Sequence, residues 1–245
     1  MSETIWHGGA LIRPGLLGFS GSIGPTGTHS HHAVQVMVSD TEMVVVDEAG
    51  RAHRGRQVIV VADAAHRIER GAEFGIAVFL EPESAAGRAA ERHSRTHGWT
   101  GGPPLGAVLV RPDRRLSDCV ADLLAGLVPD PAPLGRHPSV TAALDLIPGL
   151  LAYGPVRTGD VARRVGLSTT RLTHLFSAQV GLPLRRYVLW SRISTAIARV
   201  AAGDDLTAAA HAAGFSDSAH LTRTCRDTFG LPPSALTRNI RLGTG

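Results

Sequence analysis

Two stretches of this chain carry the same punctuation. VARRVGLS at 161–168 lines up with AAHAAGFS at 209–216, an offset of 48 residues. LTHLFSAQVGLP at 172–183 lines up with LTRTCRDTFGLP at 221–232, an offset of 49, so the second copy carries one extra residue between its two blocks. A repeat at this period means that one supersecondary unit is used twice. Each copy reads as a short helix of small residues ending at Gly166 or Gly214. An apolar residue follows (Leu167 or Phe215), then Ser168 or Ser216 as the N-cap of a second helix, which stops at Gly-Leu-Pro. Glycine lets the turn take a positive φ, and serine satisfies N–H groups that open a helix. Ala162 and Ala210 are small where two helices would cross. Leu172, Leu175 and Phe176 bury one face of the first second-position helix; Leu221, Cys225 and Phe229 do so in its counterpart. This grammar is helix–turn–helix. A single copy is what any αα-corner can produce. Two copies in a basic segment point to nucleic acid.

The segment between the copies fits that reading. Leu184 to about Ala202 is amphipathic, with Leu184, Val188, Ile193, Ile197 and Val200 available for packing. As a helix it would be roughly 27–29 Å long, against about 34 Å between successive major-groove faces. Charge follows the same division. All 25 basic residues are arginine. Residues 137–245 hold 12 Arg against 6 acidic residues, a net of +6, while residues 1–136 hold 13 against 15, a net of −2. Such asymmetry points to a polyanion as partner of the C-terminal half. Pro148 falls late in the expected first helix of that half, 139–147, and is expected to end or kink it.

The N-terminal part reads as strands. Val34, Val36 and Val38 alternate with Ala33, Gln35 and Met37; 44–46, 58–61 and 76–80 are short β-rich runs set between glycines. Closely spaced short strands predict a sandwich or small barrel. Residues 83–97 read as a helix and 98–104 (GWTGGPP) as a loop. Residues 111–128 read as an amphipathic helix with Leu116, Val120, Leu123, Leu124 and Leu127 in one stripe. Four prolines at 129, 131, 133 and 138 mark a linker. From Ser139 onward no strand is expected. No apolar run approaches the roughly 18 residues that span a bilayer, and no basic stretch followed by an apolar run opens the chain. Cys119 and Cys225 give neither a disulfide framework nor a zinc spacing. No membrane association and a cytoplasmic location are expected.

The segment LTAAAHAAGFSDSAHLTRTCRDTFGLPPSAL (206–236), with its Gly-Phe, Ser-x-Ser, Leu-x-Arg and Phe-Gly-x-Pro-Pro, resembles the second helix–turn–helix of the AraC/XylS-type transcription regulators. The first copy and RRYVLWSRISTAIARVAAG also fit, so the resemblance runs from about Ser139 to Thr237. It implies binding of double-stranded DNA by both recognition helices. Carried over by position, the base-facing residues are Thr169, Thr170, Thr173 and His174 in the first and Asp217, Ser218, Thr222 and Arg223 in the second. Arg223 suits a bidentate contact to guanine, and threonine methyls suit thymine. Arg171, Arg186 and Arg226 are placed for phosphate. The family also implies a small-molecule effector, RNA polymerase as a partner of any activator, and a homodimer through the 116–127 stripe.

The N-terminal half resembles the cupin-like barrel that precedes this domain in many family members, on its strand pattern, the cluster THSHHAVQV and His66. His29, His31, Gln35 and His66 are read as a polar ligand-pocket lining. A metal site of imidazoles and ordinary turn histidines are the other readings. Gln35 stands where the cupin type has Glu, so no metal and no cofactor are expected. The fold class is α+β in two domains: residues 1–97 a cupin-like sensing barrel, 98–136 a helical hinge and linker, and 137–245 an all-α double helix–turn–helix. No nucleophile elbow, Gly-rich phosphate loop or paired-Cys motif is present, so an enzyme is not expected. The alternative is a cupin metalloenzyme with an appended helical domain.

Overall fold

A computed structural model describes residues 6–105, 113–128, 136–152, 154, 156–230, 232–234 and 240–242. The chain divides into two compact units. One comprises residues 1–12, 16–130 and 224–245, the other 13–15 and 131–223.

The first unit is rich in sheet. Its strands are β1 (His7–Arg13), β2 (Leu16–Ile23), β3 (Val34–Asp47), β4 (Ala52–Val60), β5 (His66–Arg70) and β6 (Ala72–Leu80). Strand β3 organises them. Its first half pairs antiparallel with β6, Val34 to Ser39 against Leu80 to Gly75, and its second half with β5, Val44 to Asp47 against Arg70 to His66. A register shift between Val38 and Met43 along β4 separates the two halves. Such an irregularity bends a strand, which lets one strand serve two partners. The sheet runs β4-β3-β6-β2-β1, with β5 on β3. The architecture roughly fits a cupin-like barrel, although the ladder does not close among the described residues.

Both faces of this sheet are buried, which explains its apolar runs. Val34 and Val36 share a core cluster with Leu16, Ile76, Val78 and Leu80. Helices α1 (Ala85–His97) and α2 (Leu116–Leu127) cover that face through Ala90 and through Cys119, Val120, Leu123 and Leu127. The alternate residues Gln35, Met37, Ala77 and Phe79 are also buried and lie on the opposite face, as the two-residue period of a strand requires.

Three expectations change here. Helix α2 starts at Leu116, with Arg115 extended at its N-cap, rather than at Arg111, which lies outside the described residues. Its apolar stripe is spent inside its own unit, since Leu116 and Leu124 pack on the same cluster. A strand also occurs after residue 139: β7 (Ile240–Leu242) pairs parallel with β1, Gly8 against Ile240. Three residues are too few to leave a readable alternation. Most of the proline linker, 129–135, lies outside the described residues.

The second unit is helical: α3 (Pro138–Ala152), α4 (Thr158–Arg164), α5 (Thr169–Val180), α6 (Leu184–Ala201), α7 (Leu206–Ala212) and the start of α8 (Ser218–Phe229). Val140, Ala143, Ile147 and Leu151 of α3 join Val161, Ala162, Leu172, Phe176, Leu184 and Val188 in one core. Helix α3 does not end at Pro148 but runs on to Ala152. Pro148 is exposed while Ile147 and Leu151 are buried. The carbonyl that loses its partner can thus face water, and burial of Leu151 continues the helix. No helix among the described residues is long and apolar enough to cross a membrane.

Candidate nucleic-acid interface and histidine cluster

The two repeat copies fold alike down to single hydrogen bonds. In the first, Val165 is the C-cap of α4, Gly166 takes φ +71°, and the Leu167 N–H returns to the Ala162 carbonyl at 2.9 Å. In the second, Ala213 is the C-cap of α7, Gly214 takes φ +78°, and the Phe215 N–H returns to the Ala210 carbonyl at 2.9 Å. This is the glycine-stopped helix end, in which a left-handed residue lets the next N–H satisfy an orphan carbonyl. Ala162 and Ala210 are both buried.

The copies differ at the next cap. Ser168 Oγ accepts from the Arg171 N–H at 3.2 Å, as expected. In the second copy the cap is not Ser216. Asp217 Oδ1 accepts from the His220 N–H at 2.6 Å, and Ser216 Oγ donates to Asp217 Oδ2 at 3.1 Å. The inserted residue therefore lies in the turn and shifts the cap by one position. The hydrogen bond from the His220 main chain holds the Asp217 carboxyl below the usual carboxylate range. Ser168→Ala is expected to cost about 0.5–2 kcal/mol of stability, read as a lower urea midpoint. Asp217→Ala is expected to fray the start of α8, read as faster amide exchange at residues 218–220.

Thr169, Thr170, Arg171, Thr173 and His174 are exposed on α5, while Leu172 and Phe176 point into the core. In the second copy Asp217, Arg223 and Arg226 are exposed, Ser218 and Thr222 are half-buried, and Leu221, Cys225 and Phe229 are buried. Arg186, on α6, is half-buried. Two hydroxyls are already engaged: Thr173 Oγ1 donates to the Thr169 carbonyl at 2.9 Å and Thr222 Oγ1 to the Ser218 carbonyl at 2.8 Å. These side chains keep methyl groups and acceptor lone pairs for a partner, not hydroxyl hydrogens. The 18 residues of α6 span about 27 Å between the copies.

The first unit holds a second concentration of chemistry. His29 and His66 form an antiparallel bridge, each N–H donating to the other's carbonyl at 2.9 Å. Their ring centroids are 4.4 Å apart, and His31 lies 5.0 Å from His66. His66 is 0% exposed, and His31 and Gln35 are each 2% exposed. His31 Nε2 lies 3.3 Å and His66 Nε2 3.1 Å from Gln35 Oε1. All four residues of the expected pocket lining are thus near one another. The bridge that joins His66 to His29 spans 37 residues of sequence and left no local signal. Sequence reasoning also missed Trp99, which stacks on His53 at 4.5 Å and meets His66 edge-on at 6.3 Å.

Burial pulls the His66 imidazole down from its ordinary 6.5 to about 4; burial, then the neighbouring His29, lowers that of His31. Between those two pH values the unfolded chain holds the proton that folded His66 refuses, so acid favours unfolding. Stability from neutral His66 is fully present above about pH 6.5 and lost as the pH falls toward 4. The loss is about 3 kcal/mol, with His31 adding in the same sense. Urea midpoints of chelator-treated protein should fall between pH 7 and 4.5; a flat profile would refute this. Asp47 is lowered by the hydrogen bond from His53, so its loss falls below the ordinary carboxylate value of 3.8, outside this window.

Residues 161–239 match the family described as "Helix-turn-helix domain". Among curated proteins, none matches the chain. Among solved structures, ToxT from Vibrio cholerae is similar at 11% identity, over 90% of this chain and 97% of that one, with a TM-score of 0.46. An AraC-type DNA-binding regulator from Chromobacterium violaceum shares 28% identity over 39% of this chain and 86% of its own, with a TM-score of 0.36. The C-terminal domain of AraT from Geobacillus stearothermophilus shares 15% over 45% and 92%, with a TM-score of 0.40. At these scores none of the likenesses bears on the architecture. The family match and the duplicated turn define a DNA-binding transcription regulator. Its helix–turn–helix domain is of the AraC type.

Proposed function

We propose that this protein is a sequence-specific regulator that reads two successive major grooves and is controlled by a small molecule bound in its N-terminal part. The carrying observation is the pair of turns closed by the same hydrogen bond, Leu167 on Ala162 and Phe215 on Ala210, each followed by a helix with an exposed face. Residues 137–245 bind DNA, 98–136 connect, and 1–97 sense. Thr169, Thr170, Thr173 and His174 face bases in one groove, with Ser218, Thr222 and Arg223 in the next. Asp217, exposed at the start of α8, caps that helix and lies on the same face. Arg171, Arg186 and Arg226 take phosphates. The protein acts in the cytoplasm and catalyses no reaction.

Support for effector control comes from the loop that bears His31. The His32 N–H donates to the Asp227 carbonyl at 2.7 Å and the Ala33 N–H to the Thr228 carbonyl at 3.2 Å, in the last turn of α8. The histidine loop is thus tied to the last turn of α8 within the first unit. A ligand preferring one arrangement would shift its population.

Selection of a random duplex library on the full chain tests the reading. The expected product is a motif of two blocks about one helical turn apart. A single block would leave one groove unread. No enrichment with or without candidate effectors would overturn sequence-specific binding.

A further inference from the structure

The outward side of α4 carries chemistry that neither the turns nor the reading faces use. Its inward residues, Val161 and Ala162, are buried in the core of the second unit. Its other side borders a cavity of about 430 Å3, walled by Leu150 of α3, by Val156 and Arg157 ahead of α4, and by Asp160, Arg163 and Arg164 on it. Leu150 and Val156 are half-buried and pack on the core with one side.

Three guanidiniums and one carboxylate share this wall. Arg163 Nη2 donates to Asp160 Oδ1, three residues before it, so that pair is balanced internally. Arg157 and Arg164 have no side-chain hydrogen bond or ion pair among the described residues. Arginine stays cationic, so the cavity holds two positive charges without a counterion. A concave wall lined by one sign of charge focuses its field on the space inside and raises the local concentration of anions. Each guanidinium presents its N–H groups in a fixed fork that matches phosphate or carboxylate oxygens.

Shape and charge then narrow the occupant. A nucleic-acid backbone offers phosphodiesters of single charge with no apolar body, and it meets protuberant side chains rather than filling a hollow. A cavity of this volume lies in the range that takes up small molecules, and Leu150 and Val156 give such a molecule an apolar wall. A carboxylate would neutralise one guanidinium. A phosphomonoester, at about −1.5 to −2 near neutral pH, neutralises both and brings three acceptor oxygens. We propose that this cavity binds a small organic phosphomonoester, its phosphate on Arg157 and Arg164 and its apolar body against Leu150 and Val156. The site lies wholly within the helical unit. It is a second ligand site, separate from the sensing function proposed for residues 1–97, and does not depend on that reading.

Titration of the full chain with naphthyl phosphate, followed by the naphthyl fluorescence, tests the site. Naphthol and inorganic phosphate are the two fragments for comparison. One equivalent of the ester per chain is expected, bound at least about 10-fold more tightly than either fragment. Arg157→Ala and Arg164→Ala should each weaken it by about 10-fold or more, because each removes a charge-assisted hydrogen bond. Both arginines are exposed, so the core is untouched in these variants. Arg92→Ala, at an exposed arginine of α1, should leave the titration unchanged. Val156→Phe fills the cavity and keeps the charges; it should abolish ester binding while duplex binding persists. Absence of saturable ester binding would overturn the site. If the two arginine variants then lost affinity for duplexes of every sequence, Arg157 and Arg164 would belong to the DNA backbone instead. Ester binding that both arginine variants leave unchanged, or that either fragment equals, would overturn it as well.

Discussion

Phe176→Ala is expected to destabilise the helical unit by about 3–5 kcal/mol. Phe176 is 0% exposed and sits among Val161, Ala162, Leu172 and Val188, where α3, α4, α5 and α6 meet. Its ring meets Tyr187 edge-on, with centroids 5.4 Å apart at 78°. Truncation removes that contact and leaves a void that the small residues of α4 cannot fill. Domain stabilities of roughly 5–15 kcal/mol mean that such a loss consumes much of the reserve. Urea denaturation should show it, together with loss of DNA binding at 37 °C that recovers on cooling toward the temperature of greatest stability. Tyr187→Phe keeps the ring and should change little. A Phe176→Ala loss below about 1 kcal/mol, the ordinary value for a substitution, would show that α5 is not anchored there.

Arg223→Ala is expected to weaken binding to the selected duplex by about 1–3 kcal/mol, roughly 5–150-fold, and to relax specificity at a single base pair. The argument is positional. Arg223 is exposed on α8, six residues beyond the cap, and lies near enough to Asp217 to lower its pKa. The carboxylate is held by its own capping bonds, which leaves the guanidinium fork for a base edge. Arg226→Ala provides the contrast. A phosphate contact carries no sequence information, so its loss should be equal on all duplexes and should lower the salt slope by about one. Competition of each variant against point-substituted sites at two salt concentrations separates the roles. An Arg223→Ala loss that is uniform across sites would reassign that residue to the backbone.

The helix–turn–helix pairs were legible because their physics is local. A glycine at positive φ, a small residue at a crossing and an apolar period each act within about twenty residues. The exposed faces of α5 and α8 followed from that period alone. The cap of α8 did not, because Ser216 and Asp217 are both good caps. Only the folded turn shows which carboxylate or hydroxyl meets the His220 N–H. Likewise Pro148 reads as a helix stop, yet burial of Leu151 beyond it outweighs one lost hydrogen bond. The stripe of α2 was visible as a stripe, but a period cannot say what covers it. Its own sheet does.

The histidines mark the boundary most clearly. The resemblance to a cupin-like barrel implied that His29, His31, Gln35 and His66 line one pocket, and the absence of a glutamate argued against a metal. The orientation of these imidazoles depends on three main-chain carbonyls and on the bridge between His29 and His66. The sequence by itself determined the two-part organisation, the duplicated turn and the exposed reading faces, because short-range sterics and periodicity suffice for these. Tertiary structure alone decided that β5 returns to the end of β3, that His31 and His66 meet at Gln35 with His29 beside them, and that the loop bearing His31 is tied to the last turn of α8. Those are long-range pairings, selected by burial over the whole unit rather than by any neighbouring residue.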